Sequence, residues 1–274
     1  MCELFAISSS TPTEISFSLD EFSKHGGLTD HHKHGWGIAY YQENAVKIIK
    51  EAHQASDSLC LDFIKDYKMK SQIIMSHIRY ATQGEISYRN TQPFTRELGG
   101  REHVFIHNGD LKCIVANPKY LSRRFQPVGE TDSEAAFCYL MTQMSAIWDA
   151  PEVPSLQQRL QVFNYFALEM QSLGLSNFIY SDSEYVFVFS DKREVKDKKD
   201  KNKTITLPGL HVLQRSCQRK SHNATIQGLS LKHEQSKNVV LISSVPLNDE
   251  NWKPLTTGQS LVFKAGKIIT SVGV

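Results

Sequence analysis

The chain lacks most of the features by which composition alone betrays a function. It has no apolar run near the roughly 18 residues that a membrane helix needs. Its 31 basic residues nearly cancel its 29 acidic ones, leaving a formal charge of +2. That balance removes the electrostatic reason to expect nucleic acid or an anionic membrane as partner. No lysine or arginine precedes the short apolar stretch behind Glu3, so a secretory n-region is missing and a cytoplasmic location is the expectation. Five cysteines (Cys2, Cys60, Cys113, Cys138, Cys217) form no CxxC pair, and an odd number fits reduced thiols better than a disulfide framework. There is no internal repeat and no proline- or serine-rich linker. His31, His32 and His34 have no acidic or cysteine partner at ligand spacing, which favours a solvated loop over a metal site.

What is there reads as strands, then helices, then strands. ELFAIS near the start, GIAYY (37–41), VKII (46–49), QIIMSHI (72–78) and HVFIH (103–107) are short, β-rich and separated by turns. After Thr131 the apolar spacing lengthens to a helical one in SEAAFCYLMTQMSAIW and in LQQRLQVFNYFALEMQSLG, which ends at Gly174. Strands return with NFIYS, YVFVFS, HVL, VVLISS and SLVFKAGKII. This order predicts an α+β layered domain that uses the whole chain. The charged run DKREVKDKKDKNK (191–203) reads as a solvated surface loop.

Four segments combine residues able to do chemistry: HGWGIAYY (34–41), HIRYATQGE (77–85), HNGDL (107–111) and GETDSE (129–134). Singly, each has a plain reading. Asn108-Gly109 is a hairpin-turn signal, because both residues tolerate positive φ. Thr131 and Glu134 fit a capping box, in which the two side chains satisfy each other's N–H groups at a helix start. That leaves Asp132 unexplained. Arg79, at a strand end, reads as a surface cation, and HGWG as a tight turn into a strand.

The joint order of these segments behind Cys2 resembles the class II glutamine amidotransferase domain of the N-terminal-nucleophile hydrolases, most closely its stand-alone single-domain branch. The resemblance rests on MCEL (1–4), GWGIAYY (35–41), HIRYA (77–81), NTQPFTREL (90–98), HNG (107–109) and PVGETDSEAAFC (127–138), with SSVPL (243–247) and NWKPLTTGQ (251–259) near the end. It implies a four-layer α/β/β/α sandwich over residues 2–274 as one domain, with Met1 removed. It further implies that Cys2 attacks the γ-glutamyl amide of glutamine or a related compound, giving a thioester and releasing ammonia or an amine. A free thiol is little ionised at neutral pH, whereas a free α-amine with a pKa of about 7.7–8.0 can take its proton.

By the same resemblance, Asn108 and Gly109 form the oxyanion hole. Arg79 and Thr82 receive the substrate α-carboxylate and Asp132 its α-ammonium, while Tyr80 and Gly129 line the pocket. His77, His107 and Trp36, although within the motifs, are assigned to packing. The resemblance implies no metal or organic cofactor. It leaves two roles open: supplying ammonia to a separate acceptor subunit, or acting, alone or with a peptidase-like partner subunit, on a larger γ-glutamyl thiol or peptide. A glutamine-binding module without turnover is the reading from another class. Relatives commonly carry Asp where this chain has His34, which puts a local hydrogen bond in question.

Overall fold

The computed structural model describes residues 2–14, 33–61, 64, 70–196, 204–217, 224–226, 229–231 and 237–273. The chain begins with β1 (Glu3–Glu14), β2 (Trp36–Gln42), β3 (Ala45–Glu51), β4 (Lys70–Ile78), β5 (Phe94–Leu98) and β6 (Arg101–Leu111). Two helices follow, α1 (Asp132–Trp148) and α2 (Leu156–Leu173). It returns through β7 (Gly174–Ser181), β8 (Val186–Ser190), β9 (Lys192–Lys196), β10 (Thr204–Pro208) and β11 (His211–Cys217). The last strands are β12 (Ala224–Ile226), β13 (Leu229–Leu231), β14 (Lys237–Ser243), β15 (Lys253–Pro254), β16 (Gln259–Lys264) and β17 (Lys267–Gly273).

Two antiparallel sheets take up most of these strands. One runs β15-β11-β14-β1-β4-β2-β3, the other β17-β16-β8-β7-β6-β5. The alternation of side chains along each strand decides what they face. In β1, Leu4 and Ala6 point into the layer between the sheets, where they meet Val104 and Ile106 of β6 and Ile179 of β7. The intervening Phe5 and Ile7 point outward, against Trp36, Leu61, Ile64 and Trp252. Phe105 of β6 faces the helices instead, stacked on Phe137 of α1 with ring centroids 5.2 Å apart. The two central β layers, with α1 and α2 packed on the second sheet, fit the α/β/β/α sandwich that the resemblance implies.

Three local expectations change. Asn108-Gly109 is not a turn: both lie inside β6, opposite Asn177 and Ser176 of β7. The turn signal is local, and it is overridden by a strand partner nearly seventy residues away. The capping box is only half made. Thr131 Oγ1 accepts the Glu134 N–H at 3.2 Å, but the Glu134 carboxylate turns to the N–H groups of Val128 and Gly129, at 3.1 and 2.7 Å, and to Arg96 at 2.6 Å. The reciprocal box forms instead at Ser155 and Gln158, opening α2. Finally, within 191–203, Lys192–Lys196 is strand β9, paired with β10. Its alternation buries Arg193, whose Nη1 donates to Ser244 O at 2.7 Å. Residues 197–203 lie outside the described residues.

Candidate active site

The start of β1 pairs with the end of β4, Glu3 opposite Ile78, and this register sets Cys2 beside Tyr80. Both backbone polar groups of Tyr80 meet the thiol. The Tyr80 N–H donates to Cys2 Sγ at 3.2 Å, and the thiol donates to Tyr80 O at 3.4 Å. The chain behind is fixed by the HGWG segment. Arg79 N–H donates to Gly35 O at 2.8 Å, and Ala81 N–H donates to His34 Nδ1 at 2.9 Å. His34 accepts this N–H through an unprotonated ring nitrogen. Burial pushes the Cys2 thiol above its ordinary range, while the Tyr80 N–H and the Arg79 charge act the other way. A thiol so placed is held mainly protonated and needs a base to become a nucleophile.

The second sheet brings β6 to the same point. Asn108 Nδ2 donates to Cys2 O, and Asn108 O accepts from Asn177 Nδ2 at 3.2 Å on the β7 side. In an antiparallel ladder, N–H and C=O of one residue face one neighbour and those of the next residue face the other. Asn108 faces β7, so His107, Gly109 and Leu111 face the opposite edge, beyond the end of β5. There, His107 N–H donates to Gln92 Oε1 at 2.7 Å and Leu111 N–H to Asp132 Oδ2 at 2.8 Å. Between these two anchors the Gly109 N–H faces the same edge, and Gly109 lines a cavity together with Cys2, Arg79, Tyr80, Thr82 and Asp132, while Asn108 does not. No side chain fits at Gly109, because a Cβ would lie 1.8 Å from Leu175 O.

Comparisons with known proteins bear on the family and the fold. The family model for class II glutamine amidotransferases matches residues 1–273. A Haemophilus influenzae protein is 33% identical over 277 residues, covering 99% of this chain and 87% of its own. YafJ of Escherichia coli K12 is 38% identical over 192 residues, 69% of this chain and 72% of that one. Both are provisionally named glutamine amidotransferases. A crystal structure of a similarly named Pseudomonas aeruginosa protein superposes with a TM-score of 0.71 at 30% identity, covering 98% of this chain and all of that one. The chain belongs to the class II glutamine amidotransferases. Its fold is also that of the glutamine phosphoribosylpyrophosphate amidotransferase of Bacillus subtilis, at a TM-score of 0.58 and 15% identity over 49% of that chain.

In this class II amidotransferase, not every residue singled out from the sequence reaches the cavity. Gly129 stands behind it: a Cβ there would meet Asn90 Oδ1 at 2.1 Å, and it is Asn90 that lines the wall. Asp132 opens α1 with its carboxylate already accepting the N–H groups of Leu111 and Ser133. The Arg79 guanidinium is wrapped by the loop that follows it, donating to the carbonyls of Gln83, Gly84 and Glu85 at 2.9, 3.3 and 2.9 Å. The enclosed volume is about 20 Å³, room for a single water.

His107, assigned to packing from the sequence, lines the cavity and is braced from behind. Its Nδ1 meets Ser133 Oγ at 2.9 Å, its ring stacks on Phe178 at 4.8 Å, and burial lowers its pKa. Sequence reasoning gave no role to Gln92, Asn90 or Ser133, all of which line the cavity. The only signal available was their position inside the NTQPF and ETDSE segments.

Proposed function

We propose that this class II amidotransferase hydrolyses the γ-glutamyl amide of glutamine, or of a related γ-glutamyl compound, as one domain spanning residues 2–274. The observation that carries the reading is that strands of two different sheets bring Cys2 and Gly109 to one cavity, with the buried Asn108 amide bonded to Cys2 O beside it. Once Met1 is removed, the Cys2 α-amine accepts the thiol proton, directly or through a water. Sγ then bonds to the substrate Cδ, and the negative charge gathered on the amide oxygen is met by Asn108 Nδ2 and Gly109 N–H. Collapse breaks the C–N bond, the departing nitrogen takes the proton from the α-amine, and ammonia or an amine leaves. Water adds to the thioester carbon, the C–S bond breaks, and a proton returns to the thiol, giving glutamate.

At the other end of the substrate, a carboxylate can replace the loop carbonyls on Arg79, since a planar fork matches it better than three separate acceptors do. Thr82 adds a hydroxyl, and Asp132, facing the cavity beside them, takes the ammonium. Tyr80 serves through its backbone. Such an exchange moves the loop from 83 to 85 and enlarges a cavity that has room for only one water. The released ammonia, or a larger amine, passes to water or to a separate acceptor subunit.

The test is covalent. The protein, prepared so that its N-terminus is processed, is incubated with 6-diazo-5-oxo-norleucine, and the intact mass and N-terminal peptide are read. Loss of Met1 with a single adduct on Cys2, absent in Cys2→Ala, together with glutaminase turnover that disappears in that variant, is the expected result. An unprocessed Met1 in active protein, or turnover that persists in Cys2→Ala, would overturn the mechanism. Complete processing without adduct on glutamine mimics directs the same assay to larger γ-glutamyl amides.

A further inference from the structure

The ladder between β5 and β6 stops just before the residues that matter most. Phe94 lies opposite Phe105, and Leu98 opposite Arg101. Continued by two positions, this register puts residue 92 opposite His107. The backbone ladder ends at Phe94, and the Gln92 backbone carbonyl lies against Gly37 instead of reaching β6. The His107 N–H and C=O would then be buried without partners, at a cost of about 1–3 kcal/mol each.

The Gln92 side chain takes the place of the missing strand. Its Oε1 accepts the His107 N–H at 2.7 Å and its Nε2 donates to His107 O at 3.2 Å. One primary amide thereby reproduces the donor and acceptor of a peptide unit. Gln92 is itself held from behind. Its carbonyl fills the space where a Cβ on Gly37 would lie, at 2.3 Å. The preceding Thr91 accepts Lys50 Nζ on its carbonyl at 2.7 Å and donates its hydroxyl to Ser87 O at 2.9 Å.

We infer that Gln92 is a positioning residue for the oxyanion donors, acting through His107 on the two residues that follow it. The inference rests on the reading of Asn108 and Gly109 as those donors. From His107 to Leu111 the outer edge of β6 has no strand beside it among the described residues, and two side chains, Gln92 at one end and Asp132 at the other, fix it. Releasing the Gln92 end lets the peptide plane between Asn108 and Gly109 tilt, so that the Gly109 N–H leaves the direction in which the oxyanion forms. Substrate binding, carried at the Arg79 and Asp132 end, is left alone. The signature is a loss in kcat at nearly constant KM.

The experiment compares wild type, Gln92→Met and Gln92→Glu by steady-state glutaminase kinetics and by amide hydrogen exchange of the 104–111 segment. Gln92→Met is expected to lower kcat by about tenfold or more, because small misplacements of a catalytic group are costly. KM is expected to change by less than about threefold. Exchange should quicken at His107 through Leu111 and not in β8. Gln92→Glu adds a proton switch. As a carboxylic acid, the introduced group both accepts and donates like the amide, whereas as a carboxylate it can only accept and repels His107 O. The ratio of variant to wild-type kcat should therefore climb on acidification.

A rise in KM with kcat preserved, unchanged exchange at His107 in Gln92→Met, or a flat ratio for Gln92→Glu would each overturn the proposal. If Gln92→Met does not fold, the ratio for Gln92→Glu decides alone. If the wild type neither turns over glutamine nor reacts with the diazo-ketone, the amidotransferase reading fails, while the exchange measurements still judge the hold of Gln92 on β6.

Discussion

At the residue scale, the site depends on groups with two obligations each. Asn108 ties Cys2 through its Nδ2 and, in the proposed reaction, offers that same amide to the oxyanion, while its Oδ1 is buried with no partner among the described residues. Its replacement therefore separates catalysis from binding. Asn108→Ala removes one donor and leaves the Tyr80 backbone around the thiol intact, so kcat is expected to fall by about 10²–10³. Alkylation of Cys2 by a small reagent such as iodoacetamide should continue near the wild-type rate. A kcat loss under about tenfold in steady-state assays would take Asn108 out of the oxyanion set. If Cys2 alkylation slowed in parallel with turnover, the residue would instead be holding the nucleophile.

At the scale of elements, what the sequence could and could not say divides along contact distance. The strands ELFAIS, GIAYY and QIIMSHI were legible because alternation is a property of neighbours in the chain, and both helices because their caps and spacing are. Cys2, Asn108, Gly109, Arg79 and Asp132 were legible only as a set in order, through their resemblance to a family. The Asn-Gly pair misled as a turn, since pairing of β6 with β7 is invisible locally. Glu134 misled as the second half of a capping box, because its partner Arg96 sits on β5. That pair can be tested. The Glu134 side chain is 2% exposed and that of Arg96 20%, so Arg96→Met strands a nearly buried carboxylate. Removing one partner of such a pair costs about 3 kcal/mol, partly offset here by the N–H groups of Val128 and Gly129. Urea unfolding should show a clearly lower midpoint at unchanged m-value, and a midpoint equal to wild type would show that the two N–H groups suffice.

At the scale of the whole molecule, the helix-facing side of the second sheet couples folding to acidity through two buried histidines. His103, on β6 four residues before His107, is fully buried, with Nδ1 on Tyr180 Oη at 2.6 Å and Nε2 on Leu98 O at 3.0 Å. Burial lowers its pKa to about 4. The unfolded chain binds a proton near the ordinary value of about 6.5, so between that pH and 4 the unfolded state carries more protons than the folded one. Stability must fall as pH falls through this window, by up to about 3 kcal/mol once both values are passed. His107 shifts in the same direction for the same reason, and adds to the slope. The expected measurement is a set of urea midpoints from pH 7 to pH 4 for wild type and His103→Gln. The wild-type curve should steepen below pH 6.5 and the variant, less stable at pH 7, should lose less on acidification, keeping only the contribution of His107. Parallel curves would mean that His103 is protonated in the fold as readily as outside it. Because His103 and His107 sit on the strand that carries Asn108 and Gly109, loss of turnover below pH 6 must be compared with these midpoints before any of it is assigned to Cys2 or its amine.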